Sequence, residues 1–200
     1  MNVGQSWFKT NEAEDVAGSV RHVLRCWPLI PDDPHVWKWI ALALHSAIQG
    51  ACVAHLVTTA RPVGAVTDRN AKEWMEYFER SRTEDGLLPP RTYLMALPDL
   101  LKSARKPDSA GSGAASSPIR INDNELGGLE GFHNEVRNQF VHFEPMGWSI
   151  EVSGMAHLAA LIGRLLSEII DAGWAFRNET AAWRNELRNG AIALTKLGEV

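Results

Sequence analysis

Between Trp39 and Ala60 the chain runs for twenty-two residues without one Asp, Glu, Lys or Arg. Such a segment must be hidden from water along most of its length, in lipid or in protein. His45, Ser46, Gln49, Gly50 and His55 interrupt it and alanine is its commonest residue. That composition fits the central helix of a protein better than a membrane span. Asp33-Pro34 supplies a helix start, so the expected helix runs from there to about Thr59, roughly 38 Å at 1.5 Å per residue. A spine of this kind requires other segments to bring apolar faces against it.

Those segments are present. Thr10 or Asn11 can cap a first helix ending near Arg25, with Val16, Val20, Val23 and Leu24 on one face. Asp68–Ser81 reads as a third helix carrying Trp74, Met75, Tyr77 and Phe78, and Tyr93–Ala104 as a short helical piece interrupted or bent at Pro98. Residues 106–118, KPDSAGSGAASSP, contain no large apolar side chain and are expected to form a mobile loop inside one domain spanning 1–200. Asn122–Phe143, Met155–Trp174 and Asn178–Leu197 complete the helices, with Trp148–Val152 as a short extended piece. Strand signals and internal repeats are lacking, so the expected fold is all-α, an antiparallel helical bundle. Eight tryptophans against two tyrosines point to a bulky aromatic core.

With a net charge of −4 the chain is not built to coat long stretches of nucleic acid, although one basic pocket is compatible with it. Met1–Thr10 has no apolar signal-peptide region, and Cys26 and Cys52 lie in unlike surroundings, so a cytoplasmic, reducing location without membrane attachment is expected.

The helix NDNELGGLEGFHNEVRNQFVHF carries the chemistry. Leu129, Phe132, Val136, Phe140 and Phe143 form its apolar stripe. Asn134, Asn138 and His142 recur at four-residue spacing, with His133 and Arg137 as a second such pair. Arg137-Asn138-Gln139-Phe140-Val141-His142 is the one R-N-x3-H match in the chain. On this motif the chain resembles the HEPN superfamily, compact all-α domains that are often symmetric dimers and, in many members, metal-independent endoribonucleases acting as toxins or antiviral effectors. The resemblance covers the motif helix closely and the rest as helix content and order.

It implies a homodimer, single-stranded RNA as substrate, a nucleotidyltransferase-like antitoxin as partner and no cofactor or metal. Arg137, Asn138 and His142 would be catalytic, and His133 and Asn134 would contact substrate. The residue types suit attack by a ribose 2′-OH. His142 can move a proton near neutral pH, Arg137 can fork two donors onto phosphate oxygens, and Asn138 can orient the imidazole or hold a phosphate. Arg137 and His142 lie about 140° apart on an ideal helix, so one motif converges poorly on one phosphate and two motifs across a two-fold axis are expected to complete the site. The nucleotidylated toxins continue their motif to a tyrosine two positions after the histidine. Here Phe143 and Glu144 follow, so that regulation is not expected, and Glu144 adds a negative charge beside the phosphate site. The rival expectation is a noncatalytic interaction or ligand-binding module.

His45, Gln49, Cys52 and His55 fall within roughly 120° of one another on the spine helix. A metal site or a second catalytic wall is one reading. Hydrogen bonding between helices is the expected one, because their spacing is not that of a compact ligand set. Arg184, Arg188 and Lys196 are interleaved with glutamates and read as a solvated face. Trp148 reads as a core or interface residue. Walker, dinucleotide-binding, nucleophile-elbow and zinc patterns are missing from the sequence.

Overall fold

The structure, a computed structural model, describes residues 6–59, 63–113, 118–142 and 147–199. Its helices are α1 (Glu12–Cys26), α2 (Val36–Leu56), α3 (Asp68–Arg80), α4 (Leu97–Ala104), α5 (Asp123–Gly131), α6 (Asn138–Val141), α7 (Met155–Asp171) and α8 (Ala181–Thr195). The chain is all-α: among the described residues no strand forms, and one isolated antiparallel bridge joins Val66 to Leu94.

Asn11 caps α1 by accepting from Glu14 N–H at 2.8 Å. Val16, Val20 and Val23 then point inward from it. The return to α2 is antiparallel: Trp27 meets Trp37 edge-on at one end, and Ser46 donates to Asp15 at 2.7 Å nearer the other. α7 and α8 form a second antiparallel hairpin, closed by the pairing of Arg188 with Asp171. Between the hairpins the neighbours run parallel. α8 follows α1, with Glu14 beside Trp183 and Val20 beside Gly190, and the ends of α2 and α7 meet where Trp174 Nε1 donates to Val57 O at 2.9 Å. Parallel neighbours need a long connection, which the residues between α2 and α7 provide.

α2 is the one helix among the described residues long and apolar enough to cross a membrane, and 67% of its most apolar window is buried inside the protein. Ile40, Leu44, Ile48 and four of its alanines, Ala41, Ala43, Ala47 and Ala51, lie in the core. The small alanine surface lets α1, α4 and α7 come close.

That closeness also corrects the expectation of an aromatic core. The fully buried large side chains are Leu and Ile, while Trp7, Trp39 and Trp148 are exposed and Trp27, Trp37 and Trp183 lie at the core's margin. An indole placed at the margin can still use its N–H, as Trp183 does toward Glu14 and Trp174 toward Val57 O.

Pro98 begins α4 where an interruption was expected, since proline at the first helical turn removes an N–H that has no helical partner anyway. The Ser/Gly-rich segment is anchored at its start. Ser109 Oγ donates to Ala104 O at 2.7 Å, Gly111 N–H donates to His55 O at 2.8 Å, and Ala110 is buried. A Cβ on Gly111 would sit 1.9 Å from Val57 O, so only glycine permits this docking. Residues 114–117 of the segment lie outside the described residues.

The motif helix is seated at its N-terminus. Asn122 and Glu125 form a reciprocal capping box, and Arg164 of α7 reaches Glu125 at 2.8 Å and Glu168 at 2.8 Å. Burial alone would raise Glu168, but the Arg120 N–H and the Arg164 and Arg120 guanidiniums hold its carboxyl below the ordinary range.

At the α7–α8 contact a Cβ on Gly163 would lie 2.5 Å from Ala191 O and 2.9 Å from Leu194 Cβ. Gly163→Ala is therefore expected to lower the unfolding free energy by about 1–3 kcal/mol through overpacking, measured by urea denaturation against wild type.

Candidate functional site

The motif helix is not a plain α-helix. Phe132–Arg137 is π-helical, between α5 and α6. A turn closed by i→i+5 bonds holds one more residue than an α turn, so the residues after it are rotated by about one position relative to those before. Leu129 before this segment and Phe132 at its start are buried, and Val136 within it and Phe140 beyond it continue the packed face less deeply. Phe143, expected to end the stripe, and Glu144 lie outside the described residues.

The wide turn sets His133 over α2. Its Nδ1 stands 2.8 Å from Nε2 of His45, and the two rings stack with centroids 5.1 Å apart. His45 is 4% exposed and also touches the edge of Phe132. Its imidazole is pushed down to about 4, first by burial, then by the nearby charge of Arg137 and by His133. His133, half-buried, is lowered by the same two causes, burial and Arg137. At neutral pH both rings are therefore uncharged, one supplying the N–H of their shared hydrogen bond and the other the lone pair.

Arg137 stands beside them. Its Nη1 donates to Asn138 Oδ1 at 2.9 Å, and among the described residues no carboxylate pairs with it. With His45 it lines an open pocket of about 490 Å³ between the start of α1, the middle of α2 and the motif helix. Ser46, Gln49 and the carboxylates of Glu12 and Asp15 contribute polar groups, while Leu42, Val53, Leu94 and Val141 supply apolar wall. Asp15 is already occupied by Ser46.

The expected site residues therefore separate. Arg137 faces the pocket and Asn138 steadies it, while His133 is turned to His45 and does not line the pocket. Asn134 and His142 are exposed and stand outside the pocket. His142 closes the last turn of α6, its N–H bonded to Asn138 O at 2.8 Å, with its own backbone extended. Within one chain, Arg137 lines this pocket and His142 does not.

The spine polar residues also divide. His45 makes the helix-to-helix hydrogen bond expected of it and, together with Gln49, is part of the pocket wall. Cys52 is sealed in the core, where burial pushes its thiol up to about 12. His55, fully buried, donates Nε2–H to Ser109 Oγ at 3.0 Å, the serine's own proton being spent on Ala104 O. Among the described residues no three His, Cys, Asp or Glu side chains come together as a metal-ligand group. Arg184 donates to the carbonyls of Phe176, Arg177 and Glu179, and so holds the α7–α8 turn. Trp148 packs edge-on against Phe140 and keeps an exposed flank.

No family model, curated protein or solved structure matches the chain.

His45 and His55 are both neutral when folded, with titrations near 4 against about 6.5 when unfolded. Between those values the unfolded chain binds more protons, so stability is complete above about pH 6.5 and declines as pH falls toward 4. The expected loss is about 3 kcal/mol per histidine. Urea denaturation at several pH values checks it, and His55→Gln should make the slope shallower.

Proposed function

We propose that this chain is a HEPN-like, metal-independent endoribonuclease of the toxin or defence type, acting in the cytoplasm as a homodimer on single-stranded RNA. The observation that carries the reading is Arg137: a half-buried guanidinium, steadied by Asn138, on the wall of an open pocket beside two hydrogen-bonded imidazoles. A phosphate entering there would meet a planar fork of donors that stays charged at every relevant pH. The same fork would stabilise the phosphorane formed when the 2′-OH attacks. His142 is exposed at the end of α6; in this reading it would serve a phosphate held by the Arg137 of a second copy, its imidazole moving the proton between 2′-OH and leaving 5′-oxygen. Two copies related by a two-fold axis would then make two equivalent sites. A nucleotidyltransferase-like antitoxin would be its partner, without the tyrosine modification for which Phe143 and Glu144 leave no residue.

A second reading has its own observation. Glu12 and Asp15 share the pocket with four apolar side chains, a lining suited to a small ligand carrying both apolar and cationic groups, with no catalysis.

Incubation with mixed single-stranded RNA in EDTA separates the two. The ribonuclease reading expects 2′,3′-cyclic phosphate ends, and a loss of about 100-fold or more in Arg137→Ala and in His142→Ala, with the dimer intact by light scattering. An intact wild-type dimer that leaves every RNA uncut would return the pocket to the ligand-binding reading.

A further inference from the structure

We infer that the His45–His133 pair is a proton-coupled wall of an oxyanion site: a tetrahedral phosphate group pairing with Arg137 draws one proton from solvent onto the pair. The inference rests on the reading of the Arg137 pocket as a phosphate site, and adds that the bound group is met by two positive charges where the empty pocket holds one.

Three features of the geometry lead there. A single hydrogen bond of 2.8 Å joins His45 Nε2 to His133 Nδ1. That bond needs one N–H and one lone pair, a requirement met equally by two neutral rings and by one protonated ring donating to one neutral ring. Two protonated rings would break it. The pair can therefore accept one proton without rearrangement. His133 is the ring that reaches solvent, so the proton can enter there, whereas His45 is enclosed between α2, Phe132 and the pocket.

Arg137 is the second feature. It lines the pocket with His45, and its charge opposes protonation of both rings. An oxyanion that pairs with the guanidinium cancels that opposition and adds an attraction of its own. By linkage, whatever the anion does to the pair's hold on its proton, the proton does to the anion's affinity.

The third feature is that the remaining charges around the pair do not change with the ligand. From α1, Glu12 and Asp15 line the pocket, Asp15 accepting from Ser46 at 2.7 Å. From α5, Glu130, one turn before His133, is engaged by Lys102 of α4 at 2.7 Å. On α7, Arg164 and Glu168 are committed to each other and to Arg120 and Glu125, while His157 is exposed. Arg137 is left as the charge whose neutralisation the pair can sense.

The test is a two-bond 1H–15N spectrum of the imidazoles in uniformly labelled, intact protein, titrated from about pH 3 to pH 8 in chloride and in inorganic sulfate at equal ionic strength. Sulfate keeps one charge state across this range, so any change belongs to the protein. The midpoint of the His45 and His133 signals should rise by about one pH unit in sulfate, equivalent to tenfold tighter anion binding by the protonated pair. The exposed His35 and His157 should stay where they are. In Arg137→Gln the pair should titrate higher in chloride and ignore sulfate. In His133→Gln, which keeps a side-chain partner for His45, sulfate-linked protonation should vanish.

An unmoved midpoint in wild type, or a shift that persists in Arg137→Gln, overturns the inference. RNA cleavage lost in Arg137→Ala together with an unmoved midpoint would sink this coupling and leave the ribonuclease standing. A moved midpoint in a protein that cuts no RNA would do the reverse.

Discussion

The burial of one uncharged helix sets the terms for everything else in this molecule. α2 is covered by α1, α4, α7 and the motif helix, and its alanine surface brings those neighbours close. A polar group on such a helix is driven to find its partner within the protein, because an unpaired buried donor or acceptor costs about 1–3 kcal/mol, a cost that His55 Nδ1 still carries. His45 and His55 are the two sharpest cases, and each recruits a distant stretch of chain. His55 takes Ser109, and with it the start of the Ser/Gly-rich segment. His45 takes His133, and the motif helix presents that ring from a widened turn. The same demand that stabilises the bundle thus seats Arg137 where it opens onto solvent.

Much of the helical framework was legible because it rests on local rules. Asn11 as a cap, the valine face of α1 and the start of α3 at Asp68 follow from capping and periodicity, while α2, 21 residues from Val36 to Leu56, is shorter at both ends than the expected run from Pro34 to Thr59. Pro98 was misread because the same residue that breaks a helix interior is well placed in a first turn. The tryptophans were misplaced because their number says nothing about how small the facing helices are. Docking of Ser109 to Gly111 escaped notice because backbone hydrogen bonds and a close glycine contact, not apolar bulk, hold it.

The candidate site was legible in half. Arg137 and Asn138 stand out from the motif, Arg137 lining the pocket and Asn138 accepting from it. The contact of His45 with His133 spans 88 positions, and nothing in a single sequence pairs two residues so far apart. The π turn was equally hidden, since periodicity over a few residues does not separate a wide turn from an ordinary one.

The parallel arrangement of the two hairpins has a consequence for the life of the chain on the ribosome. α1 with α2, and α7 with α8, can each form from near neighbours, but the walls of the Arg137 pocket come from residues 10–15, from 42–53, from Leu94 and from 137–141. α5, which carries the motif helix, is tied down through Glu125 by Arg164 of α7. An emerging chain therefore holds no finished pocket until α7 has followed the motif helix, and whatever chemistry Arg137 performs waits for that helix.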